Sequence, residues 1–367
     1  MEKVKKYQKQ IFWALSGLVI LIFVFSIYSQ RENVFRKFDF KKYEDKYNKS
    51  QWVVAKSKNQ ISDEDLYIYA GYKLIHGYDP SLVSAEVPPL GKYLIGFSEQ
   101  VFGYVGIYGV FFSGLSLILF FILNKMLFKS NILAIIPVLL LSLETLFREQ
   151  IYASLLDTQY LSLLLLTFIF VLRKNYLLAG ISAGLFMATK SPFITAVLYA
   201  SIFGFFILNK MWDFKKFVIM PLATVITYIL IHARLFMLGH SFRYFLSVQH
   251  YMIHFYQTGA GGVIGAYFPL LLTGYWFTWF NGNRFIGEWT PVWPLAFILT
   301  IYAFYKLIKG RKFDDGFTLI SIWLVLYSFF MIFTPIFPRY LLLTIPFMYN
   351  LAVWALSRNT RLQSLVS

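Results

Sequence analysis

The chain has 367 residues, of which 58% are hydrophobic and only 14% are charged, and it contains no cysteine. A soluble domain carries roughly 45–50% apolar and about 25% charged residues, so this composition excludes an ordinary soluble protein. The absence of cysteine excludes disulfides, thiolate metal sites and cysteine nucleophiles. The net charge of +16 fits basic inner loops and anionic lipid. No nucleic-acid-binding module is recognisable, so we expect no nucleic-acid partner.

Long apolar blocks predict an all-α polytopic membrane protein, because a helix that crosses a bilayer needs about 20 apolar residues. The predicted spans are residues 11–29, 105–127, 131–147, 152–172, 176–191, 193–209, 215–236, 291–308, 316–335 and 339–356. Lysines precede the first span, as they do in a signal peptide. Its apolar core is long, however, and no small-residue cleavage site follows, so we interpret it as a retained anchor.

Basic residues mark every second loop of this topology. The positive-inside rule then places the N-terminus and these loops in the cytoplasm. The loop residues are Lys125, Lys129, Arg173, Lys174, Lys210, Lys215, Lys216, Lys306, Lys309, Arg311, Lys312, Arg358 and Arg361. An even number of spans puts both termini in the cytoplasm of a multi-pass cell-membrane protein. Residues 263–280 are also apolar, but an eleventh crossing would break the charge pattern, so we predict a re-entrant or interfacial segment there.

The topology leaves two long outer loops, residues 30–104 and 237–290, within one membrane-embedded domain that covers residues 1–367. No separate soluble domain is expected. In the first outer loop, Ser62 and Asp65 fit a capping box at the start of an amphipathic helix. The proline pair that ends at Pro89 predicts the start of a second helix, which is amphipathic and should lie along the membrane surface.

Three consecutive acids, Asp63, Glu64 and Asp65, open the first of these helices. Acids in a first turn stabilise a helix through its dipole, so a purely structural role stays open. The dipole does not require three of them. Glu86 and Lys92 bracket the turn before the second helix, where the alternative reading is a surface helix with a lysine that reaches toward the headgroups.

Charged residues near the outer membrane boundary form a second group of candidates. Asp157 falls about five residues inside the fourth predicted span, where a carboxylate marks either a functional site or a buried ion pair. Arg148, Lys190 and Arg339 map to the same outer boundary. Mutual ion pairing would explain this set without any chemistry, and a functional site would explain it as well.

His250 and His254 lie four residues apart in the second outer loop, so they share a face if the segment is helical. Together with Glu86 they would supply three ligands for a divalent metal. An ordinary pair of interfacial histidines is the simpler alternative. No other cofactor is predicted.

Several short motifs in the first half of the chain occur in a recognisable order. They are Asp63-Glu64-x-x-Tyr67, Gly77-x-Asp79-Pro80, Pro88-Pro89-Leu90-Gly91-Lys92, Arg148, Ser154-Leu155-Leu156-Asp157 and the run from Ala179 to Lys190. In this order the chain resembles the protein O-mannosyltransferases and their prokaryotic relatives over about residues 60–192. A looser likeness follows at Arg339-Tyr340-Leu341. These families are membrane glycosyltransferases of the GT-C fold that use polyprenyl-phosphate sugars.

The resemblance implies roles for the candidate residues. The family's catalytic base falls on Asp63, with Glu64 beside it, and the family's acid in the fourth span falls on Asp157. The implied ligands of the donor phosphate are Lys92, Arg148, Lys190 and Arg339. The chain departs from the mannosyltransferases at Val87, where they usually carry histidine. Glu86 instead matches a metal-binding glutamate of the related aminoarabinose transferase of lipid A.

The sequence therefore predicts a glycosyltransferase that moves a hexosyl or pentosyl group from a polyprenyl-phosphate donor to an acceptor hydroxyl. The reaction is expected at the outer face of the bilayer, as a direct displacement with inversion at the anomeric carbon. The acceptor is expected to be a protein, a lipid or a glycan. A transporter or flippase of lipid-linked glycans is one alternative, although the internal repeats and interrupted helices typical of transporters are not visible. A glycan polymerase or ligase is another.

Overall fold

The computed structural model describes residues 2–211, 214–258, 263–278, 282–310 and 316–358. Three of the predicted inner-loop residues, Arg311, Lys312 and Arg361, lie outside these ranges. The helices of the first half are α1 (Glu2–Ser29), α2 (Arg31–Val34), α3 (Phe40–Asn48), α4 (Asp63–Ile75), α5 (Leu90–Phe102), α6 (Ile107–Leu127), α7 (Asn131–Leu143), α8 (Thr145–Glu149), α9 (Asp157–Leu172) and α10 (Tyr176–Thr189). Those of the second half are α11 (Pro192–Leu208), α12 (Phe214–Ile231), α13 (Ala233–Met237), α14 (Phe242–Thr258), α15 (Tyr267–Thr273), α16 (Val292–Gly310), α17 (Gly316–Ile332) and α18 (Ile345–Ser357).

The apolar helices confirm the predicted all-α membrane architecture. Within the described ranges, 3 helices are long and apolar enough to cross a bilayer, namely α1 from Lys6, α6 and α16. Shorter apolar helices are α7, α9, α10, α11, α12, α17 and α18. Each predicted span overlaps one of these helices. Their buried faces form one large apolar core, with a smaller cluster beneath the first outer loop.

The ends of several predicted spans are wrong. Helix α7 ends at Leu143 rather than at residue 147, and α9 begins at Asp157 rather than at residue 152. The last span begins at Ile345 and not at residue 339, because Pro346 lies in the first turn of α18. Proline lacks the N–H that a continuous helix would need, so the preceding residues, Pro338–Leu343, form a separate 3-10 helix.

The apolar segment 263–280 does not form a spanning helix in its described part. Helix α15 has 7 residues, which reach about 10 Å, against the roughly 30 Å of a hydrocarbon core. A short hairpin follows, in which β1 (Tyr275–Trp276) pairs antiparallel with β2 (Arg284–Phe285). Residues 279 and 280 lie outside the described ranges.

The first outer loop contains the two predicted surface helices. Ser62 caps α4, and its Oγ accepts a hydrogen bond from the Asp65 N–H at 3.2 Å. Helix α5 begins after Pro89, as predicted. Its exposed face carries Phe97 and Val101, which is typical of a helix lying in the membrane interface.

Close backbone contacts fix the helices that carry the candidate residues. A Cβ on Gly96 would lie 2.2 Å from the Gly71 carbonyl oxygen, so α4 and α5 touch backbone to backbone. In the same way, a Cβ on Gly180 or Gly184 would meet the backbone of α12 at 2.4 and 2.8 Å. Small residues spaced by four let membrane helices approach this closely. The positions of α4 and α10 are therefore defined by packing.

Candidate functional site

The acidic and basic residues predicted for the site lie at or next to the ends of helices. Asp63 is the first residue of α4, and Asp157 is the first residue of α9. A carboxylate in the first turn of a helix is stabilised by the helix dipole, so Asp157 is not stranded inside a span as the sequence suggested. Lys190 is the C-terminal cap of α10, and Arg339 lies in the 3-10 helix before α18.

Four of the predicted site residues form one continuous chain of ion pairs. Lys190 Nζ lies 2.5 Å from Oδ1 of Asp157, and Arg339 Nε lies 3.3 Å from Oδ2 of the same carboxylate. The guanidinium of Arg339 also donates through Nη2 to Oδ2 of Asp63. Arg339 thus joins the two acids that the sequence singled out. We call Lys190, Asp157, Arg339 and Asp63 the ion-pair chain.

Exposure changes along the ion-pair chain. The side chains of Lys190 and Asp157 are 9% and 6% exposed, that of Arg339 is 17% exposed, and that of Asp63 is 41% exposed. The chain therefore runs from a buried lysine to a carboxylate that solvent can reach. Two cations balance two anions, so the buried part avoids the large penalty of an unpaired charge.

Aromatic rings support the two cations of the ion-pair chain. Lys190 Nζ lies 4.3 Å from the centroid of the Tyr340 ring, and the Arg339 guanidinium lies 4.4 Å from that of Phe337. A cation above an aromatic face is stabilised without losing its ability to bind an anion. No role for these rings was predicted from the sequence, and the signal available was their position within two residues of Arg339.

Helix α9 is locked to the end of α10, which orders the buried half of the chain. The rings of Tyr160 and Phe186 stack with centroids 3.8 Å apart. The Tyr160 hydroxyl donates to the Ser191 carbonyl at 3.3 Å, next to Lys190. Gln159 donates to Thr189 Oγ1 at 3.0 Å. Lys190 and Asp157 are thus held by contacts on both sides.

Glu64 turns away from its neighbour Asp63. Its carboxylate lies 2.8 Å from Arg36 Nη2 and accepts a second bond from the Ser154 N–H at 3.4 Å. Consecutive residues on a helix point about 100° apart, so Asp63 and Glu64 reach different partners. The structure therefore separates the two predicted catalytic acids, and sequence alone gave no indication that Arg36 would pair with Glu64.

Lys92 and Arg148 have partners outside the ion-pair chain. Lys92 is fully buried, and its Nζ donates to the carbonyls of Ser84 and Val87 at 2.5 and 2.6 Å. Arg148 donates through Nε to Ser26 Oγ at 3.1 Å, at the end of α1. Phosphate binding by these two residues stays a prediction, and in the structure each of them donates hydrogen bonds to other groups of the protein.

The predicted metal ligands do not assemble into a three-residue site. Within the described residues no group of three or more histidine and carboxylate side chains is placed to hold a metal. The rings of His250 and His254 are 6.5 Å apart on one face of α14, whereas Glu86 is buried and accepts from Ser84 Oγ at 2.8 Å. Glu86 thus belongs to the turn that holds Lys92, and the expectation that it joins both histidines is wrong for this arrangement.

The arrangement of helices is that of a polytopic membrane protein with the GT-C fold. The fold is similar to that of ArnT from Cupriavidus metallidurans in the apo state, with a TM-score of 0.61, 14% sequence identity and coverage of 94% of this chain and 60% of that one. It is also similar to the same protein bound to undecaprenyl phosphate, with a TM-score of 0.62, 15% identity and coverage of 95% and 62%. The chain thus spans less than two thirds of the length of these structural neighbours. No protein-family profile and no curated protein matches the sequence.

Proposed function

We propose that the protein transfers a sugar from a polyprenyl-phosphate-linked donor to an acceptor hydroxyl, with inversion at the anomeric carbon. The observation that carries this proposal is the guanidinium of Arg339, which binds Asp63 on one side and Asp157 on the other. It places a solvent-accessible carboxylate next to cations at the end of a helical bundle. Undecaprenyl phosphate bound to one of the ArnT structures supports the class of donor.

In the proposed reaction, Asp63 and the two cations of the ion-pair chain have different tasks. The acceptor oxygen forms a bond to the anomeric carbon, and its proton passes to the Asp63 carboxylate. The bond from that carbon to the phosphate oxygen breaks, and its electrons stay on the departing polyprenyl phosphate. Arg339 and Lys190 then stabilise the charge that develops there, and one such donor contributes about 3 kcal/mol.

Arg339 also offers a reason why the base becomes available only with donor bound. In the structure Nη2 of Arg339 donates a hydrogen bond to Oδ2 of Asp63. A donor phosphate that competes for this guanidinium would release the carboxylate, which could then accept a proton. Asp157 keeps its contact with Lys190 at 2.5 Å, so the buried half of the chain stays paired during the exchange.

The first test is Asp63→Asn in a transfer assay with purified protein and radiolabelled polyprenyl-phosphate sugars. Asparagine has nearly the size and the helix propensity of aspartate, but it does not accept a proton at neutral pH. We expect the variant to fold and its transfer activity to be lower by about 10²-fold or more. Full activity of this variant would contradict the assignment, and the base would then have to be sought at Asp157.

Two neighbouring acids supply controls for that test. Asp65 lies in the same first turn, but it pairs with Lys46 at 2.7 Å on the surface, so Asp65→Asn should leave transfer unchanged. Glu64→Gln should be milder than Asp63→Asn, because Glu64 contacts Arg36 instead of the ion-pair chain. Equal losses in all three variants would indicate a general effect on helix α4.

We also propose that this site faces the outside of the cell membrane and that both termini are cytoplasmic. The chain has no cysteine, so a single introduced cysteine reports its own accessibility. Ser57→Cys should react with an impermeant thiol reagent in intact cells, and Gly310→Cys should react only after permeabilisation. Labelling of residue 310 from outside would reverse the orientation.

A further inference from the structure

A small polar cleft lies between α14 and the loop that follows α4. It has a volume of about 180 Å³ and is lined by Ser81, Ala85, Tyr244, Ser247, Val248 and Tyr251. Four of these side chains bear hydroxyl groups, and none is charged. A water molecule takes up about 30 Å³ of liquid, so the cleft accommodates a group of monosaccharide size. It is smaller than the sites of about 300–1,000 Å³ that hold drug-sized ligands.

Hydrogen bonds hold the hydroxyl groups on one side of this cleft in place. Asp79 Oδ1 accepts from the N–H and the Oγ of Ser81 at 2.8 and 2.6 Å, while Oδ2 lies 2.5 Å from His240 Nε2. Ser81 Oγ is 2.9 Å from the Tyr244 hydroxyl, and the Tyr244 ring stacks on His240 with centroids 4.1 Å apart. The two walls of the cleft are therefore fastened to each other, and the site is organised before any ligand binds.

A buried carboxylate lies next to the cleft. Glu86 follows Ala85, is 5% exposed, and its Oε2 has no hydrogen-bond partner in the described part of the chain. Burial raises the pKa of Glu86, Lys92 opposes the rise, and the charge of Asp63 adds to it. Burial, together with the charge of Glu86, likewise raises the pKa of Tyr251. Ala85 lines the cleft, so Glu86 adjoins it along the chain.

We infer that this cleft is the subsite for a saccharide unit of the acceptor. The inference rests on the proposed function, because a glycosyltransferase needs a place for its acceptor apart from the cations that bind the donor phosphate. Uncharged hydroxyl groups and aromatic rings suit the hydroxyls and the C–H faces of a sugar. The uncharged lining offers no partner for a phosphorylated or strongly anionic acceptor group.

The test uses labelling of one cysteine in the cleft. Ser247→Cys preserves the size of the side chain in a protein that otherwise has no cysteine. Methyl α-mannoside, methyl α-glucoside and methyl β-galactoside, each at up to about 100 mM, are the probes. At least one of them should slow maleimide labelling of residue 247 saturably, by about threefold or more. Lys58→Cys, on the exposed loop before α4, is the matched control and should not be protected.

A second variant checks that protection comes from binding in the cleft. Tyr251→Phe removes one hydroxyl and keeps the ring, so in the Ser247→Cys background it should raise the glycoside concentration for half protection by about two- to tenfold. Tyr104→Phe, where the ring packs against Phe35, should not. Absence of protection by all three glycosides, equal protection at residue 58, or protection by a serine-rich peptide instead of a glycoside would overturn the inference.

The labelling result is independent of catalysis, so the two proposals can fail separately. If no radiolabelled donor supports transfer but the glycoside still protects residue 247, the proposed function fails while the cleft is shown to bind saccharide. If transfer proceeds and residue 247 is not protected, the saccharide subsite fails alone. When both hold, modification of Ser247→Cys with a bulky maleimide should raise the KM for a glycan acceptor at least tenfold and leave the KM for the donor unchanged.

Discussion

Two buried lysines have opposite surroundings in this molecule, although each lies close to an acid. Lys190 contacts the Asp157 carboxylate at 2.5 Å and a tyrosine ring, in a chain of side chains that ends at solvent. Lys92 contacts two backbone carbonyls at 2.5 and 2.6 Å, with no exposed surface. An ammonium group has three donors, so Lys190 can keep its carboxylate partner and still approach an anion, whereas Lys92 is held in place by two carbonyls of a turn. The first lysine is therefore suited to ligand binding and the second to structure.

The largest effect expected from this comparison concerns Arg339, the centre of the ion-pair chain. Arg339→Gln removes its charge and the link between Asp63 and Asp157. Transfer should fall by about 10²–10³-fold, as when a charge-stabilising donor is deleted elsewhere. Initial rates with a radiolabelled donor, corrected for folded protein, would measure this. Arg173→Gln, at an exposed position, is the control, and equal rates in both variants would contradict the assignment.

Lys92→Met should show the reverse pattern. Its two hydrogen bonds to carbonyls are lost, and stability should fall by about 2–3 kcal/mol because bonds from a charged donor contribute more than neutral ones. Donor affinity and transfer per folded molecule should stay normal. Thermal unfolding in detergent and donor titration would separate these outcomes. A stable variant that binds donor poorly would return Lys92 to the phosphate site that the sequence predicted.

The smallest expected effect is a pH dependence of protein stability that arises from the titration of Lys92. Burial lowers the pKa of Lys92 from 10.5 to about 8, against the opposing charge of Glu86. Between these values the unfolded chain holds a proton that the folded protein does not, so stability should rise with pH across this window, by at most about 1.4 kcal/mol per pH unit. Unfolding temperatures measured from pH 8 to 10 should increase less in Lys92→Met than in the wild type. Parallel curves would show that Lys92 does not cause the dependence.

Much of the fold could be predicted because apolar blocks and turn residues act locally. The cap at Ser62 and the helix start after Pro89 are confirmed. The exact ends of α9 and α18 could not be predicted. Residues 152–156 are largely apolar yet irregular in the structure, and the stretch before Pro346 reads as a continuous hydrophobic span. Hydropathy detects burial in lipid, but it does not register where a chain unwinds.

The residues of the ion-pair chain could be singled out from the sequence, but the partners of the candidate residues could not. Lys190 and Arg339 were singled out by their boundary positions, and their contact with the same carboxylate supports the topology: these residues lie at one end of the bundle. An eleventh crossing at 263–280 would have put them at opposite ends. The partners of Glu64, Arg148 and Lys92 depend on side-chain directions and loop shape, which spacing in the sequence does not specify.

The bond between Arg339 and Asp63 joins residues that are 276 positions apart, which bears on how the protein is made. Asp157 and Lys190, 33 positions apart, belong to consecutive helices and can enter the bilayer already paired. Asp63 must wait for Arg339, on the order of 15–55 s at the usual rate of protein synthesis. Its exposure of 41% lets it stay hydrated during that interval. The ion-pair chain is thus complete only after the ribosome has delivered the segment that carries Arg339, and until then Asp157 and Lys190 can remain paired with each other.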